Sequence, residues 1–155
     1  EIGLGTNNVS LASNMGEEGV PLASLRAWRD YFENANIYGA DVDKKILFTE
    51  ERIKTFYVDQ LKKETILAMW NKISEFNFDL IVDDGLHSFE ACTNLFDNSF
   101  ERLRSDGIYI IEDVDMPYLS KLFNYLKKYN PEVIVLKSKY KKIIRDNNLI
   151  IIRKI

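Results

Sequence analysis

Short runs of apolar and β-branched residues alternate with amphipathic stretches along most of this 155-residue chain. This alternation is typical of a doubly wound α/β domain, in which helices cover both faces of a mostly parallel sheet. Several of the runs are almost continuously apolar, as strands buried on both faces require. We predict strands at 36–41, 53–59, 78–83, 107–112, 132–136 and 149–152, and helices at 24–32, 62–74, 87–103 and 115–129.

The last part of the chain breaks this alternation. Two apolar runs, at 141–144 and 149–152, flank the turn-forming stretch 146–148, which predicts a closing hairpin and an antiparallel last strand. No internal repeat, low-complexity segment or linker interrupts the sequence, so we predict a single domain over residues 1–155. The chain begins with Glu1, and glycines interrupt its first apolar segment at once. We therefore expect this domain to be truncated at its N-terminus.

The composition excludes several classes of protein. Lys and Arg number 21 against 24 Asp and Glu, a net charge of -3, and without an excess of positive charge we expect no nucleic-acid partner. The single cysteine, Cys92, rules out an internal disulfide and favours a cytoplasmic location. No apolar run approaches the ~18 residues of a membrane span and no signal-peptide pattern opens the chain, so we expect no membrane partner.

Glycines and carboxylates stand where the predicted strands end, which is where open α/β sheets bind their ligands. The stretch 1–6, with glycines that let the backbone turn and approach a ligand, lacks the third glycine of a dinucleotide fingerprint because position 8 is Asn8. A nicotinamide-dependent oxidoreductase is therefore disfavoured. Asp41, with Asp43 as a competitor, can accept both hydroxyls of a ribose, and Asp59 or its neighbouring backbone can receive an adenine amine. Taken alone, the glycines are at least as well explained by a structural turn, and Asp41 is better explained by a helix N-cap or a loop charge.

Two acidic motifs carry the strongest chemical signal. Asp83-Asp84-Gly85-Leu86-His87 and Glu112-Asp113 follow strands that are expected to be neighbours. Carboxylates that converge on one point repel one another unless a cation or protons neutralise them, and oxygen ligands suit magnesium. His87 is the single histidine and can act as a base near neutral pH. The competing interpretation is that Asp83 and Glu112 cap helices and that His87 lies in a first helical turn.

Together these stretches resemble class I S-adenosylmethionine-dependent methyltransferases. More narrowly, they are similar to the metal-dependent O-methyltransferases that act on the sugars of macrolides and related glycans. The resemblance spans nearly the whole chain, and its most specific parts are the Asp-Asp-Gly-x-His motif at 83–87 and Ile-Ile-Glu-Asp at 110–113. It is carried by residues 1–6, 24–32, 37–43, 83–87 and 108–113.

The resemblance implies a Rossmann-like doubly wound sheet that is mostly parallel and has an antiparallel last strand. It implies S-adenosylmethionine and Mg²⁺ as cofactors. The implied cofactor-binding residues are Glu1, Gly3 and Gly5 around the methionine portion, Asp41 at the ribose, Asp59 and Gln60 on the adenine side, and Thr6 and Asp83. The implied metal ligands are Asp84, Glu112 and Asp113, and the implied catalytic residues are Asp84 and His87, with His87 taking the proton from the acceptor hydroxyl.

One departure from the family pattern lies beside the glycines. The polar loop 6–21 is longer than the usual glycine-rich turn, and Asn7 or Asn8 stands where another glycine is common. Loops of this length inside compact domains are often functional lids.

We therefore predict an O-methyltransferase that transfers a methyl group from S-adenosylmethionine to a hydroxyl of a sugar or related small molecule, with magnesium assisting and His87 as the base. The resemblance places such an enzyme in glycan or natural-product modification. The alternatives are a phosphoryl or phosphoramidate oxygen as the acceptor, or a non-catalytic nucleotide-binding domain. A homo-oligomer stays open.

Overall fold

Helices and strands alternate as the sequence predicts. The computed structural model describes residues 1–136 and 147–155. In chain order the elements are α1 (Ala23–Tyr31), β1 (Ile37–Asp41), β2 (Thr49–Glu50), β3 (Ile53–Tyr57), α2 (Lys63–Lys72), β4 (Phe78–Asp83), α3 (Phe89–Ser99), β5 (Leu103–Val114), α4 (Met116–Leu126), β6 (Glu132–Ile134) and β7 (Asn148–Arg153). Among the residues that the structure describes, no helix has the length and apolar character needed to cross a membrane.

The strands lie side by side in two groups, in the orders β2-β3-β1 and β4-β5-β7-β6. Ile2 joins the groups, because it forms parallel bridges to both Ala40 in β1 and Asp83 in β4. The pairs β1–β3 and β4–β5 are parallel, whereas β7 runs antiparallel to β5. The predicted α/β fold with a mostly parallel sheet and an antiparallel last strand is confirmed.

The last strand, β7, has antiparallel neighbours on both sides. The strand that pairs antiparallel with β7 on its outer side is β6. The apolar run at 141–144, which the sequence predicts as the first arm of a hairpin, lies outside the described residues. Among the described residues, β7 pairs with β5 and β6, and both pairs are antiparallel.

The predicted helix at 87–103 is too long at both ends. Ser88 occupies the N-cap of α3, and its hydroxyl accepts a hydrogen bond from the backbone N–H of Ala91 at 3.2 Å. His87 therefore stands in the loop before the helix and not in its first turn. At the other end, Leu103 already belongs to β5, where it pairs with Phe78, and its side chain is buried in the core.

Two clusters of buried side chains cover the sheet. The larger one packs α2, α3 and α4 against β4, β5 and β7, and includes Ile66, Phe96, Tyr109 and Leu122. The smaller one packs α1 through the fully buried Leu25. The helices cover the faces of the sheet but not the edge where the parallel strands end. The polar residues that follow these strands lie at that carboxyl edge.

Candidate active site

Acidic side chains from two neighbouring strands meet at the carboxyl edge of the sheet. Asp84 directly follows β4, and Asp113 lies near the end of β5, which pairs with β4. Ligand-type atoms of Asp84, Asp113 and His87 lie within 4.8 Å of one another. The structure thus brings together both acidic motifs and the histidine that the sequence singled out. Glu112 is not a member of this close group.

Irregular backbone sets the direction of these side chains. The register between β5 and β7 shifts between Ile111 and Val114, and Asp113 inside that interval has a left-handed φ of 46°. Such bulges re-aim side chains and are frequent beside active sites. His87 has a φ of 57°, and a left-handed backbone costs a non-glycine residue about 1–2 kcal/mol. The surrounding structure therefore has to hold Asp113 and His87 in place.

The acidic groups destabilise one another's charged forms. Burial, followed by the charges of Glu112 and Asp113, raises the pKa of Asp84 to about 7. Burial, followed by the charges of Glu1 and Asp113, also raises the pKa of Glu112. A cation would relieve this repulsion. Since carboxylate oxygens are the ligands that Mg²⁺ prefers, Asp84 and Asp113 fit that ion, with the Glu112 charge nearby.

The glycine turn at residues 3–6 lies directly against the acidic loop at residues 83–87. The backbone N–H of Asp84 donates to the carbonyl of Ile2 at 2.9 Å. Gly3 and Gly5 both have left-handed backbones, with φ of 88° and 70°. Without side chains, these residues keep the backbone of the turn open, as a ligand that approaches the strand end requires.

Both carboxylates at the end of β1 are tied to the glycine turn. Asp41 accepts hydrogen bonds from the backbone N–H groups of Leu4 at 2.8 Å and Asp43 at 2.7 Å. Asp43 accepts from the Thr6 hydroxyl at 2.7 Å, and this bond, with that from the Lys45 backbone, lowers its pKa. Asp41, Asp43 and Thr6 are all buried. The structure thus gathers the residues expected around the ribose and the methionine portion of the cofactor.

Glu1 and Asp59 have partners that the sequence did not predict. The Glu1 carboxylate accepts hydrogen bonds from the Ser24 hydroxyl and from the Trp28 indole N–H, the latter at 2.6 Å. Asp59 accepts from the backbone N–H of Leu61 at 3.1 Å and pairs with Lys62 at 2.9 Å. Asp59 thus closes the turn before α2.

Gln60 lies beneath the acidic loop and is 6% exposed. Its side-chain amide donates to Asp83 Oδ1 at 2.7 Å and accepts from the Leu86 backbone N–H at 2.8 Å. Both ends of the amide are therefore engaged within the protein, and the role of Gln60 on the adenine side stays a prediction. Sequence patterns give no signal for such a contact, because it joins residues 23 and 26 positions apart.

The two glycines of the turn differ in what a side chain would meet. A Cβ at Gly3 would lie 1.9 Å from the Asp84 carbonyl oxygen, whereas one at Gly5 would meet the flexible Met15 Sδ at 2.3 Å. We expect Gly3→Ala to lower the free energy of unfolding by about 1–3 kcal/mol more than Gly5→Ala, because backbone yields less than a methionine tip. Chemical denaturation of both variants measures the difference. Equal losses would contradict the close approach of the turn to the acidic loop.

Comparisons with known proteins found similar sequences and folds among methyltransferases. No protein-family model matches the chain. The chain is 32% identical over 95 residues to 8-demethyl-8-alpha-L-rhamnosyl tetracenomycin-C 2'-O-methyltransferase of Streptomyces olivaceus, a match that covers 61% of this chain and 25% of that protein. It is 34% identical over 95 residues to demethylmacrocin O-methyltransferase of Streptomyces fradiae, covering 61% of this chain and 24% of that protein. The chain thus spans about a quarter of the length of these curated relatives.

A solved structure shows the same fold. The MycE methyltransferase from the mycinamycin biosynthetic pathway, in complex with Mg, SAH and mycinamycin VI, superposes with a TM-score of 0.68 and 22% sequence identity. The superposition covers 99% of this chain and 43% of that chain. The resemblance predicted from the sequence is confirmed: this chain has the class I methyltransferase fold, and its sequence is similar to those of macrolide and sugar O-methyltransferases.

Proposed function

We propose that this chain is the methyltransferase core of an S-adenosylmethionine-dependent O-methyltransferase that acts on a hydroxyl of a sugar or related small molecule. The observation that carries the proposal is the convergence of Asp84, Asp113 and His87 within 4.8 Å at the carboxyl edge of the sheet. The relatives named above are O-methyltransferases, and one of them has a rhamnosyl group in its name. An acceptor that carries a sugar is therefore the first to test.

The glycine turn is the proposed seat of the cofactor. Gly3, Gly5 and Thr6 follow Ile2, which bridges β1 and β4 in the middle of the sheet. Asp41 holds this turn from the end of β1. S-adenosylmethionine supplies an electrophilic methyl group on a sulfonium. The protein contributes orientation, because a rigid sheet edge can align the acceptor oxygen with the methyl carbon and sulfur.

The acidic cluster is the proposed seat of the magnesium ion and of the base. Asp84 and Asp113 hold the ion, with Glu112 adding negative charge from the same edge. Magnesium supplies positive charge that favours the deprotonated form of the acceptor hydroxyl. His87 accepts the proton of that hydroxyl, so that the oxygen attacks the methyl carbon as the carbon–sulfur bond breaks. After the transfer, the proton leaves His87 for solvent.

Calorimetry and a transfer assay together test the proposal. We expect the folded protein to bind S-adenosylhomocysteine, and to transfer labelled methyl groups from S-adenosylmethionine to rhamnosyl acceptors only when Mg²⁺ is present. Chelation should abolish the transfer and readdition of Mg²⁺ should restore it. Methylation of phosphoryl compounds in place of sugars would move the proposal to a different acceptor oxygen. Absence of S-adenosylhomocysteine binding with and without Mg²⁺ would overturn it.

A further inference from the structure

We infer that Gln60 is a positioning residue that fixes the loop 83–87, and through it the spacing of Asp84 and His87. This inference rests on the proposed function, in which those two residues hold the magnesium ion and accept the proton. It gives Gln60 a role in metal binding and catalysis in place of the adenine contact that the sequence resemblance implied.

The Gln60 side-chain amide forms hydrogen bonds to the loop on both sides of Asp84. Its N–H donates to the Asp83 carboxylate at 2.7 Å, and its carbonyl accepts from the Leu86 backbone N–H at 2.8 Å. Asp83 is 1% exposed, and a buried carboxylate without a hydrogen-bond partner is costly. The bond to Asp83 is therefore strongly favoured over its absence. Together the two bonds fix the loop just before and just after the Asp84-Gly85 pair.

The packing around Gln60 leaves little freedom. A Cβ at Gly85 would lie 2.0 Å from Gln60 Oε1, so the loop backbone rests directly on the amide. The backbone carbonyl of Gln60 in turn accepts a hydrogen bond from the Asn94 side chain, which ties Gln60 to α3. The loop is thus fixed to the end of β3 and to α3 through one residue.

The bond between Gln60 and Leu86 also affects the position of His87. His87 follows Leu86, whose N–H is bound by Gln60, and it has a left-handed backbone. Without the bond at Leu86, the loop can relax towards ordinary backbone angles and move the imidazole away from Asp84 and Asp113. Loss of a residue that orients metal ligands through hydrogen bonds typically lowers metal affinity about 10- to 100-fold.

The variant Gln60→Met tests this role, since methionine has nearly the same length and forms none of these bonds. We expect its Mg²⁺ dissociation constant, measured by calorimetry, to rise about 10- to 100-fold, while its affinity for S-adenosylhomocysteine stays unchanged. An adenine contact predicts the opposite pattern. Ile66→Val is the matched control, because Ile66 is fully buried in α2, outside the loop 83–87, and its truncation lowers stability.

A reversed hydrogen bond provides the rescue. Gln60→Glu alone places two carboxylates against each other and should weaken Mg²⁺ binding more than Gln60→Met does. Adding Asp83→Asn restores a donor and an acceptor with their positions exchanged, so the double variant should regain Mg²⁺ affinity relative to Gln60→Glu.

The outcomes separate the two proposals. If Gln60→Met loses no more Mg²⁺ affinity than Ile66→Val, or if the double variant binds no better than Gln60→Glu, the positioning role is wrong while the methyltransferase proposal stands. If the unaltered protein binds neither Mg²⁺ nor S-adenosylhomocysteine, both proposals are wrong. We expect selective loss of Mg²⁺ binding in Gln60→Met, and recovery of Mg²⁺ binding in the double variant Gln60→Glu/Asp83→Asn relative to Gln60→Glu.

Discussion

Replacing His87 by asparagine is expected to lower the turnover number about 100- to 10,000-fold, the usual contribution of a positioned general base. Affinity for S-adenosylhomocysteine should not change, because His87 is placed in the acidic loop and not in the glycine turn. Asparagine is the sharper replacement, since His87 has a left-handed backbone that asparagine tolerates better than alanine. Single-turnover methyl transfer with saturating cofactor and Mg²⁺ measures the loss.

The Mg²⁺ affinity of His87→Asn distinguishes two roles for His87, a base beside the ion and a ligand of the ion. Its ring lies within 4.8 Å of the Asp84 and Asp113 ligand atoms, close enough for an imidazole to serve either as a base beside the ion or as one of its ligands. A base predicts that His87→Asn binds Mg²⁺ as well as the unaltered protein does. A ligand predicts that the Mg²⁺ dissociation constant rises along with the loss of turnover. Normal methylation by both His87→Asn and His87→Ala would remove His87 from the mechanism.

The strand ends could be predicted from the sequence because each reflects a local pattern. The apolar run before Asp83 and the one before Glu112 are nearly continuous, and they correspond to β4 and to the final part of β5. Parallel neighbours end at the same edge of a sheet, so carboxylates that follow such runs converge.

Contacts that depend on backbone irregularity or on distant partners could not be predicted. The shift of register between Ile111 and Val114 depends on pairing with β7, which no period in the sequence encodes. The left-handed conformations of Asp113 and His87 arise from packing, because both residues prefer other backbone angles. The Gln60 bond to Asp83 joins two strand ends, and a glutamine after a strand looks locally like any turn residue.

Replacing Asp84 by asparagine is expected to abolish Mg²⁺-dependent transfer and yet to stabilise the metal-free protein. Burial, followed by the charges of Glu112 and Asp113, raises the pKa of Asp84 from 3.8 to about 7. A carboxyl whose pKa is raised by folding binds its proton more tightly in the folded state. Its contribution to stability is therefore present at low pH and is lost as the pH rises from the unfolded value through about 7. Asparagine carries no charge and removes that loss.

Thermal unfolding in the presence of a chelator measures this effect. Between about pH 5 and about pH 8, the melting temperature of the unaltered protein should fall relative to that of Asp84→Asn, and Mg²⁺ should raise it again only in the unaltered protein. Asp106→Asn is the matched control, because Asp106 is exposed in the first half of β5 and its left-handed backbone suits asparagine. A melting temperature of Asp84→Asn that follows pH as the unaltered protein does, or that lies below it at high pH, would show that the acidic cluster is not under charge repulsion. The fold would then hold these carboxylates together without needing a cation, and charge repulsion would no longer support a metal site there.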